Sequence, residues 1–158
     1  MKRIIEYASA LHWTGNTGSG TSSYDRYSRE YVVRVDGKPE LQGTADKAFR
    51  GDPALHDPED HFLAAIAGCH MLSYLALAAL RGVVVTAYED AASGVLEVER
   101  GSGLFTSVTL RPTVTLAAGS DRELALALHD TAHEQCFIAN SCSVPIHHHP
   151  TIVMAPTA

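Results

Sequence analysis

Residues 57–82, DPEDHFLAAIAGCHMLSYLALAALRG, decide the fold. Asp57 stands where a carboxylate can accept from the free N–H groups of a first helical turn. Pro58 suits the first helical position because it has no N–H to leave unpaired. Glu59 and Asp60 place negative charge at the end of a helix where its dipole favours it. Apolar residues fill most later positions as far as Leu80, and Gly82 is the residue that can turn left-handed and stop the helix. A helix is therefore predicted from Pro58 to about Arg81. It is apolar nearly all round, which predicts a place in the middle of the fold. It is also long enough to cross a bilayer, but it is rich in Ala and carries Gly68, His70, Ser73 and Tyr74 near its middle. Those residues favour a core helix over a membrane span.

Working outward, residues 14–29 read TGNTGSGTSSYDRYSR, a loop rich in Gly, Ser and Thr. Tyr31, Val33 and Val35 alternate with more polar neighbours and run into Asp36-Gly37, the signature of a strand entering a tight hairpin. Pro39 and Gly43 make the return strand short or an edge strand. Beyond the helix, Val83 to Tyr88, Gly94 to Glu99 and Leu104 to Leu116 read as strands separated by Gly- and Ser-containing turns. A second helix is predicted from Ser120, with Glu123 completing a capping box and Leu124, Leu128 and Ala132 lining its inner face towards Cys136. Pro145 and Pro150 bracket Ile146 to His149, and Ile152 to Met154 form a last apolar stretch. There is no internal repeat and no linker. This order of elements predicts a single α+β domain over residues 1–158.

The bulk composition narrows the function classes. The chain has 158 residues, 46% hydrophobic and 19% charged, which is an ordinary globular balance. A formal net charge of -6 argues against general nucleic-acid binding, which needs a basic face. The opening MKRIIE runs into polar sequence without a leader, and the expected location is cytoplasmic, with no membrane association. Three cysteines, Cys69, Cys136 and Cys142, make an odd number. In this context they do not read as a disulfide framework, which leaves redox chemistry or metal binding for any cysteine that matters.

Cys69 lies midway along the apolar helix. A buried free cysteine is most often a small hydrophobe, and burial disfavours the thiolate that a nucleophile needs. A reactive Cys69 requires a cation that its own helix does not supply before Arg81, and the loop ending in Arg26 and Arg29 is the obvious source. Cys136 lies 67 positions further on, and only the fold can bring the two together. Cys142 reads as a bystander thiol. His147, His148 and His149, with His133, Cys136 and Cys142 nearby, make zinc binding conceivable. There is no C-x-x-C pair, however, and consecutive residues in an extended segment face opposite ways. Neither a metal nor a cofactor is expected, and no Gly-rich phosphate motif is present.

Two segments carry a resemblance. DPEDHFLAAIAGCHMLSYL resembles the first-cysteine signature of the OsmC/Ohr family, the osmotically induced and organic-hydroperoxide-resistance proteins. There a Pro-Glu pair opens the central helix and a cysteine follows ten residues after the glutamate, as Cys69 follows Glu59. AHEQCFIANS resembles the family's second-cysteine motif and places Cys136 as the partner. The opening WTGNTGSGTSSYDRYSR resembles an OsmC-like subgroup. The better-known branches carry the essential arginine just after Trp-x-Gly, where this chain has Asn16, Thr17 and Gly18. The role then passes to Arg29, chosen over Arg26. Phe137 follows the second cysteine where proline is frequent, and His70 after Cys69 is a further departure.

The resemblance implies a cysteine-based, peroxiredoxin-like reductase of organic hydroperoxides with no cofactor. Cys69 would be the nucleophile and Cys136 the resolving thiol. Arg29 would hold the thiolate and orient the peroxide, steadied by Glu59. Phe62, Ile66, Leu72 and Phe137 would supply an apolar substrate pocket. An external dithiol, lipoyl-type or thioredoxin-like, would be the reductant, with glutathione as a rival. The alternatives are a cytosolic redox or zinc-binding module without turnover, and a structural dimer with buried thiols. The implied fold has antiparallel sheets around a long buried helix in an intertwined homodimer. The residues add a reason for the dimer. Ten residues of straight helix separate Glu59 from Cys69 by about 15 Å, so an antiparallel second copy is the simplest way for a Glu59 to act at a Cys69.

Overall fold

The structure is a computed structural model that describes residues 2–156. The chain divides into two compact units, Met1–His61 and Phe62–Ala158.

In the first unit, β1 (Ala10–Trp13), β2 (Tyr31–Arg34) and β3 (Leu41–Gly43) form an antiparallel meander. β1 has no counterpart among the sequence-based expectations. All four of its residues are exposed, so it lacks the alternation that marks a half-buried strand. The β2–β3 hairpin turns at Gly37, φ 72°, as Asp36-Gly37 predicts. The Gly/Ser/Thr loop between β1 and β2 is pinned at its neck. Trp13 Nε1 donates to Ser28 O at 2.8 Å, and Ser28 N donates to Gly15 O at 2.9 Å. A side chain at Gly15 would place its Cβ 1.9 Å from Ser28 O, so only glycine permits that approach.

The long helix α1 spans Pro58–Leu80. Asp57 Oδ1 accepts from Asp60 N at 2.8 Å, while the Asp60 carboxylate accepts from Asp57 N at 3.4 Å, an all-aspartate version of the capping box. At the other end Gly82 has φ 72°. Val83 N donates to Ala78 O and Gly82 N to Ala79 O, the paired bonds that close a helix at a left-handed glycine.

Within the chain α1 is buried along one face only, at Ile66, His70, Tyr74 and Ala78, each four residues from the next. Leu72 and Leu80 on other faces are 64% and 82% exposed. An apolar composition all round does not reveal how many of those faces the same chain covers. α1 is long and apolar enough to cross a membrane by length and composition.

The second unit contains two mixed sheets and a second helix. β4 (Val85–Asp90), β7 (Pro112–Leu116) and β9 (Thr151–Met154) form one sheet; β5 (Ser93–Glu99), β6 (Ser102–Leu110) and β8 (Ile146–His148) form the other. β4 pairs with β7 and β5 with β6 in antiparallel fashion, whereas β8 and β9 join in parallel with β6 and β7. The stretch Leu104 to Leu116, predicted as one strand, is two strands in different sheets. The break falls at Arg111-Pro112, where proline lacks the N–H to continue a ladder. Arg111 turns the corner, its N–H donating to Asp90 Oδ1 at 2.7 Å and its Nη1 to Ser93 Oγ at 2.7 Å.

α2 spans Arg122–Glu134, and its cap is Asp121, whose carboxylate accepts from Leu124 N at 2.9 Å. Ser120, the predicted cap, instead accepts from Val84 N and ties the loop to the end of α1. Two apolar clusters hold this unit together. Tyr74, Ala78, Val114, Leu116, Ala125, Leu128, Ala132 and Ile152 gather α1, α2 and one sheet. Ile66 with Val108 and Leu110 anchors α1 on the other.

Candidate functional site

α1 carries Cys69, and α2 leads directly into Cys136. Past Glu134 the chain tightens: Cys136 N donates to His133 O at 3.2 Å, Asn140 Nδ2 to Glu134 O at 2.9 Å, and Ser141 Oγ to Phe137 O at 2.7 Å. These bonds fix a compact turn with Cys136 buried at its base, 1% exposed. The Cys136 thiol lies beside the thiol of Cys69 and the backbone N–H groups of Ala139 and Ile138. Both cysteines are free thiols, Cys69 half-buried. Burial pushes the Cys136 thiol up, and its neighbour Cys69 adds to the effect, against the opposing pull of the backbone donors. These two neighbours are 67 positions apart in the sequence. Cys142 is held elsewhere, its thiol directed at Ile138 O and Ala139 O, and it lines an open groove of about 400 Å³ with Phe62, Phe105 and Val144.

The four apolar residues named from the sequence occupy different settings. Phe62 and Ile66 pack together against Val108 and Leu110, Ile66 fully buried. Leu72 and Phe137 face outward, Phe137 at 78% exposure. Phe137 lines a shallow groove with Ala76, Leu77 and Leu80. Neither of these two grooves gathers all four.

In the first unit, Arg29 is half-buried and already organised. Its Nη1 donates to Tyr27 O at 2.6 Å and its Nη2 to Tyr24 O at 2.7 Å. The guanidinium sits 4.4 Å from the Tyr24 ring centre and 4.1 Å from that of Tyr27, a stacking that lysine could not reproduce. Arg26 is exposed. Glu59 is half-buried at the start of α1. Burial, assisted by the charges of Asp57 and Glu59, pushes the Tyr31 hydroxyl up. Among the described residues, neither Arg29 nor Glu59 forms an ion pair.

A second cluster was not anticipated. His70, the residue after Cys69, is 1% exposed and His129 of α2 is fully buried. His70 Nε2 and His129 Nδ1 are hydrogen-bonded at 3.1 Å. Their rings are nearly parallel, with centres 5.4 Å apart as an edge-to-edge hydrogen bond requires; His148 of β8 stacks on His70 at 5.6 Å, and Tyr74 stacks on His129 at 4.0 Å. His133 closes the row beside His148 at 5.5 Å. Burial lowers His70 to about 4 and His129 to about 3, so both rings are neutral near pH 7. His148 is also lowered by burial, partly offset by Asp130, which lies 3.4 Å from its Nε2.

The histidine tract singled out in the sequence contributes only His148 to this row. His147 and His149 point outward, as an extended segment requires. His129 carried a weak signal in the sequence, four residues before His133 and between the buried Leu128 and Ala132. Among the described residues, no three His, Cys, Asp or Glu side chains form a group that could hold a metal.

A pair of neighbouring thiols, one on a long helix and one in the turn after a second helix of an α+β scaffold, defines a class of small thiol proteins. Residues 51–149 match the OsmC-like protein family, and the chain belongs to that family. An OsmC-like protein of unknown function from Vibrio cholerae is 30% identical, with 93% of this chain and 99% of that one covered and a TM-score of 0.83. An organic hydroperoxide resistance protein OsmC from Legionella pneumophila shares the fold at 17% identity, with coverage of 96% and 99% and a TM-score of 0.67. An organic hydroperoxide resistance protein from Elizabethkingia anophelis does so at 18% identity, with coverage of 98% and 100% and a TM-score of 0.69. No functionally curated protein is significantly similar to the chain.

Proposed function

We propose that this chain is a cytoplasmic thiol peroxidase that reduces organic hydroperoxides to alcohols. The observation that carries the reading is the proximity of the Cys69 and Cys136 thiols, close enough for each to influence the other's protonation. The half-buried Cys69 thiolate attacks the terminal peroxide oxygen. An S–O bond forms, the O–O bond breaks, and the departing alkoxide takes a proton and leaves as the alcohol. The Cys136 sulfur then attacks the Cys69 sulfenic acid, the S–S bond forms and water departs. An external dithiol, lipoyl-type or thioredoxin-like, restores both thiols by exchange. The fold-sharing proteins from Legionella and Elizabethkingia are described as hydroperoxide resistance proteins, which supports this substrate class.

Arg29 is the proposed cation for the Cys69 thiolate. The preset guanidinium supports it over the exposed Arg26, because a cation held in place loses less side-chain entropy on engaging a ligand. Glu59 is its proposed carboxylate partner, supplied by a second copy of the chain. Leu72, Ala76, Leu80 and Phe137 leave an apolar surface on and beside α1, which supports an intertwined homodimer over residues 1–158 read as one domain. In that assembly Phe62, Ile66, Leu72 and Phe137 are the proposed apolar surroundings of the peroxide.

The roles of the two later cysteines separate in one experiment. Cys136→Ser is expected to consume one equivalent of cumene hydroperoxide and then stall as sulfenic acid or a more oxidised form. Cys142→Ser is expected to turn over at nearly the wild-type rate. Sustained dithiol-driven turnover by Cys136→Ser, or collapse of turnover in Cys142→Ser, overturns the assignment.

A further inference from the structure

The two cysteines sit on different elements, and the nearest polar tie between those elements is made by imidazoles. His70 directly follows Cys69 on α1. His129 lies on α2, whose end carries Cys136 through the Cys136 N to His133 O bond. Among the described residues, only two side-chain hydrogen bonds link α1 to α2: His70 Nε2 to His129 Nδ1, at 3.1 Å, and Tyr74 Oη to Ala125 O, also at 3.1 Å. The second lies a full turn further from the cysteines.

An imidazole pair can hydrogen-bond only while one facing nitrogen is bare. Burial keeps both rings neutral near pH 7, and that condition is then met. The groups around the pair are Tyr74 of α1, His133 and Asp130 of α2, and His148 of β8, with His147 and His149 flanking it; Tyr88 of β4 lies beyond Tyr74. Asp130 is directed at His148 and is itself largely exposed, so no carboxylate reaches the inner pair. His70 Nδ1 and His129 Nε2 have no hydrogen-bond partner among the described residues. If the tie is lost, both nitrogens of each buried ring are unpaired, a cost that holds the two helices in register.

We propose that His70 and His129 are positioning residues for disulfide closure, their mutual hydrogen bond holding α1 against α2 so that Cys69 and Cys136 meet. The inference rests on the dithiol reading above, but not on peroxide as the oxidant. Closure can be driven by diamide. The Cys69 thiolate adds to the N=N bond, and the Cys136 thiolate then attacks the Cys69 sulfur. The far nitrogen takes up a proton on addition; the S–S bond then forms, the S–N bond breaks, and the departing nitrogen takes up a second proton, so two thiolates are oxidised as one diamide is reduced to its hydrazine.

The experiment compares His70→Leu with His70→Gln. Leucine removes the bond; glutamine places an amide near the Nε2 position and can keep it. Closure of the Cys69–Cys136 disulfide at pH 7 is timed by quenched mass spectrometry, and iodoacetamide alkylation of Cys69 is timed in parallel. His70→Leu is expected to close at least about tenfold more slowly, the order of effect that follows from leaving His129 Nδ1 unpaired. Its Cys69 alkylation should stay within about twofold of wild type. His70→Gln should restore most of the closure rate. Wild-type closure in His70→Leu, or equal slowing in both variants, overturns the proposal. If His70→Leu fails to fold, His129→Leu against His129→Asn makes the same comparison from α2, since the asparagine oxygen can stand in for Nδ1. Absence of peroxide reduction by the wild-type chain would defeat the peroxidase reading and leave this comparison decisive.

Discussion

Cys69→Ser is expected to bring the reduction of cumene hydroperoxide down to the uncatalysed background. Sulfur attacks the O–O bond as a thiolate, and a serine hydroxyl near neutral pH is not a usable nucleophile without a strong base beside it. Among the described residues no side chain hydrogen-bonds at position 69, and the neighbouring Cys136 thiol is itself pushed towards the protonated form by burial. The substitution removes little volume from a half-buried position, so the fold should survive with a stability change within about 1 kcal/mol. The rate is measured by peroxide consumption with a dithiol reductant in excess, alongside circular dichroism to establish folding. Turnover at the wild-type rate in a folded Cys69→Ser protein would move the nucleophile elsewhere in the chain.

The second large effect is acid destabilisation. The folded-state values of His70 and His129, about 4 and about 3, lie below the ordinary histidine value of 6.5. In the unfolded chain both rings take up protons as the pH falls through about 6.5, while the folded protein refuses them until about 4 and about 3. The unfolded state therefore binds more protons across that window, and stability is lost on acidification. Two such groups give a slope of up to about 2.7 kcal/mol per pH unit, since one proton corresponds to about 1.36 kcal/mol. Over the window the loss reaches several kcal/mol, a large part of an ordinary domain's stability. Urea unfolding at pH 7.5 and pH 5 should show the midpoint falling steeply. His129→Phe keeps a ring against Tyr74 but cannot titrate, and it should lose about half of that dependence. An unchanged slope in His129→Phe would mean that carboxylates, not these imidazoles, set the acid limit.

The parts of the fold legible in the sequence are those with local causes. The limits of α1 follow from Asp57, Pro58 and Gly82, whose capping and left-handed roles depend on neighbours only a turn away. The Asp36-Gly37 hairpin is legible for the same reason. Features set by tertiary contacts were misread or invisible. Asp121 displaced Ser120 as the cap because the Ser120 hydroxyl is engaged by Val84 N across the unit. Arg111-Pro112 separates two strands that periodicity alone runs together, because the corner depends on Asp90 accepting from Arg111 N. Composition marked α1 as apolar but could not show that one chain covers a single face of it. At the site, the motif pointed to Cys69 and Cys136, and their proximity emerged only with the fold. His129 was hidden because a polar residue on the inner face of α2 has no meaning until His70 is seen opposite it.

The most direct measurement of the proposed chemistry is a thiol count. The chain has three cysteines, all free in the structure. The protein is treated with one equivalent of cumene hydroperoxide and then denatured with a thiol-blocking reagent, and the blocked positions are located by peptide mass. The peroxidase reading predicts that Cys69 and Cys136 are lost together as one disulfide, with Cys142 alone still blocked. Three blocked cysteines after peroxide exposure, or a disulfide that includes Cys142, would contradict it.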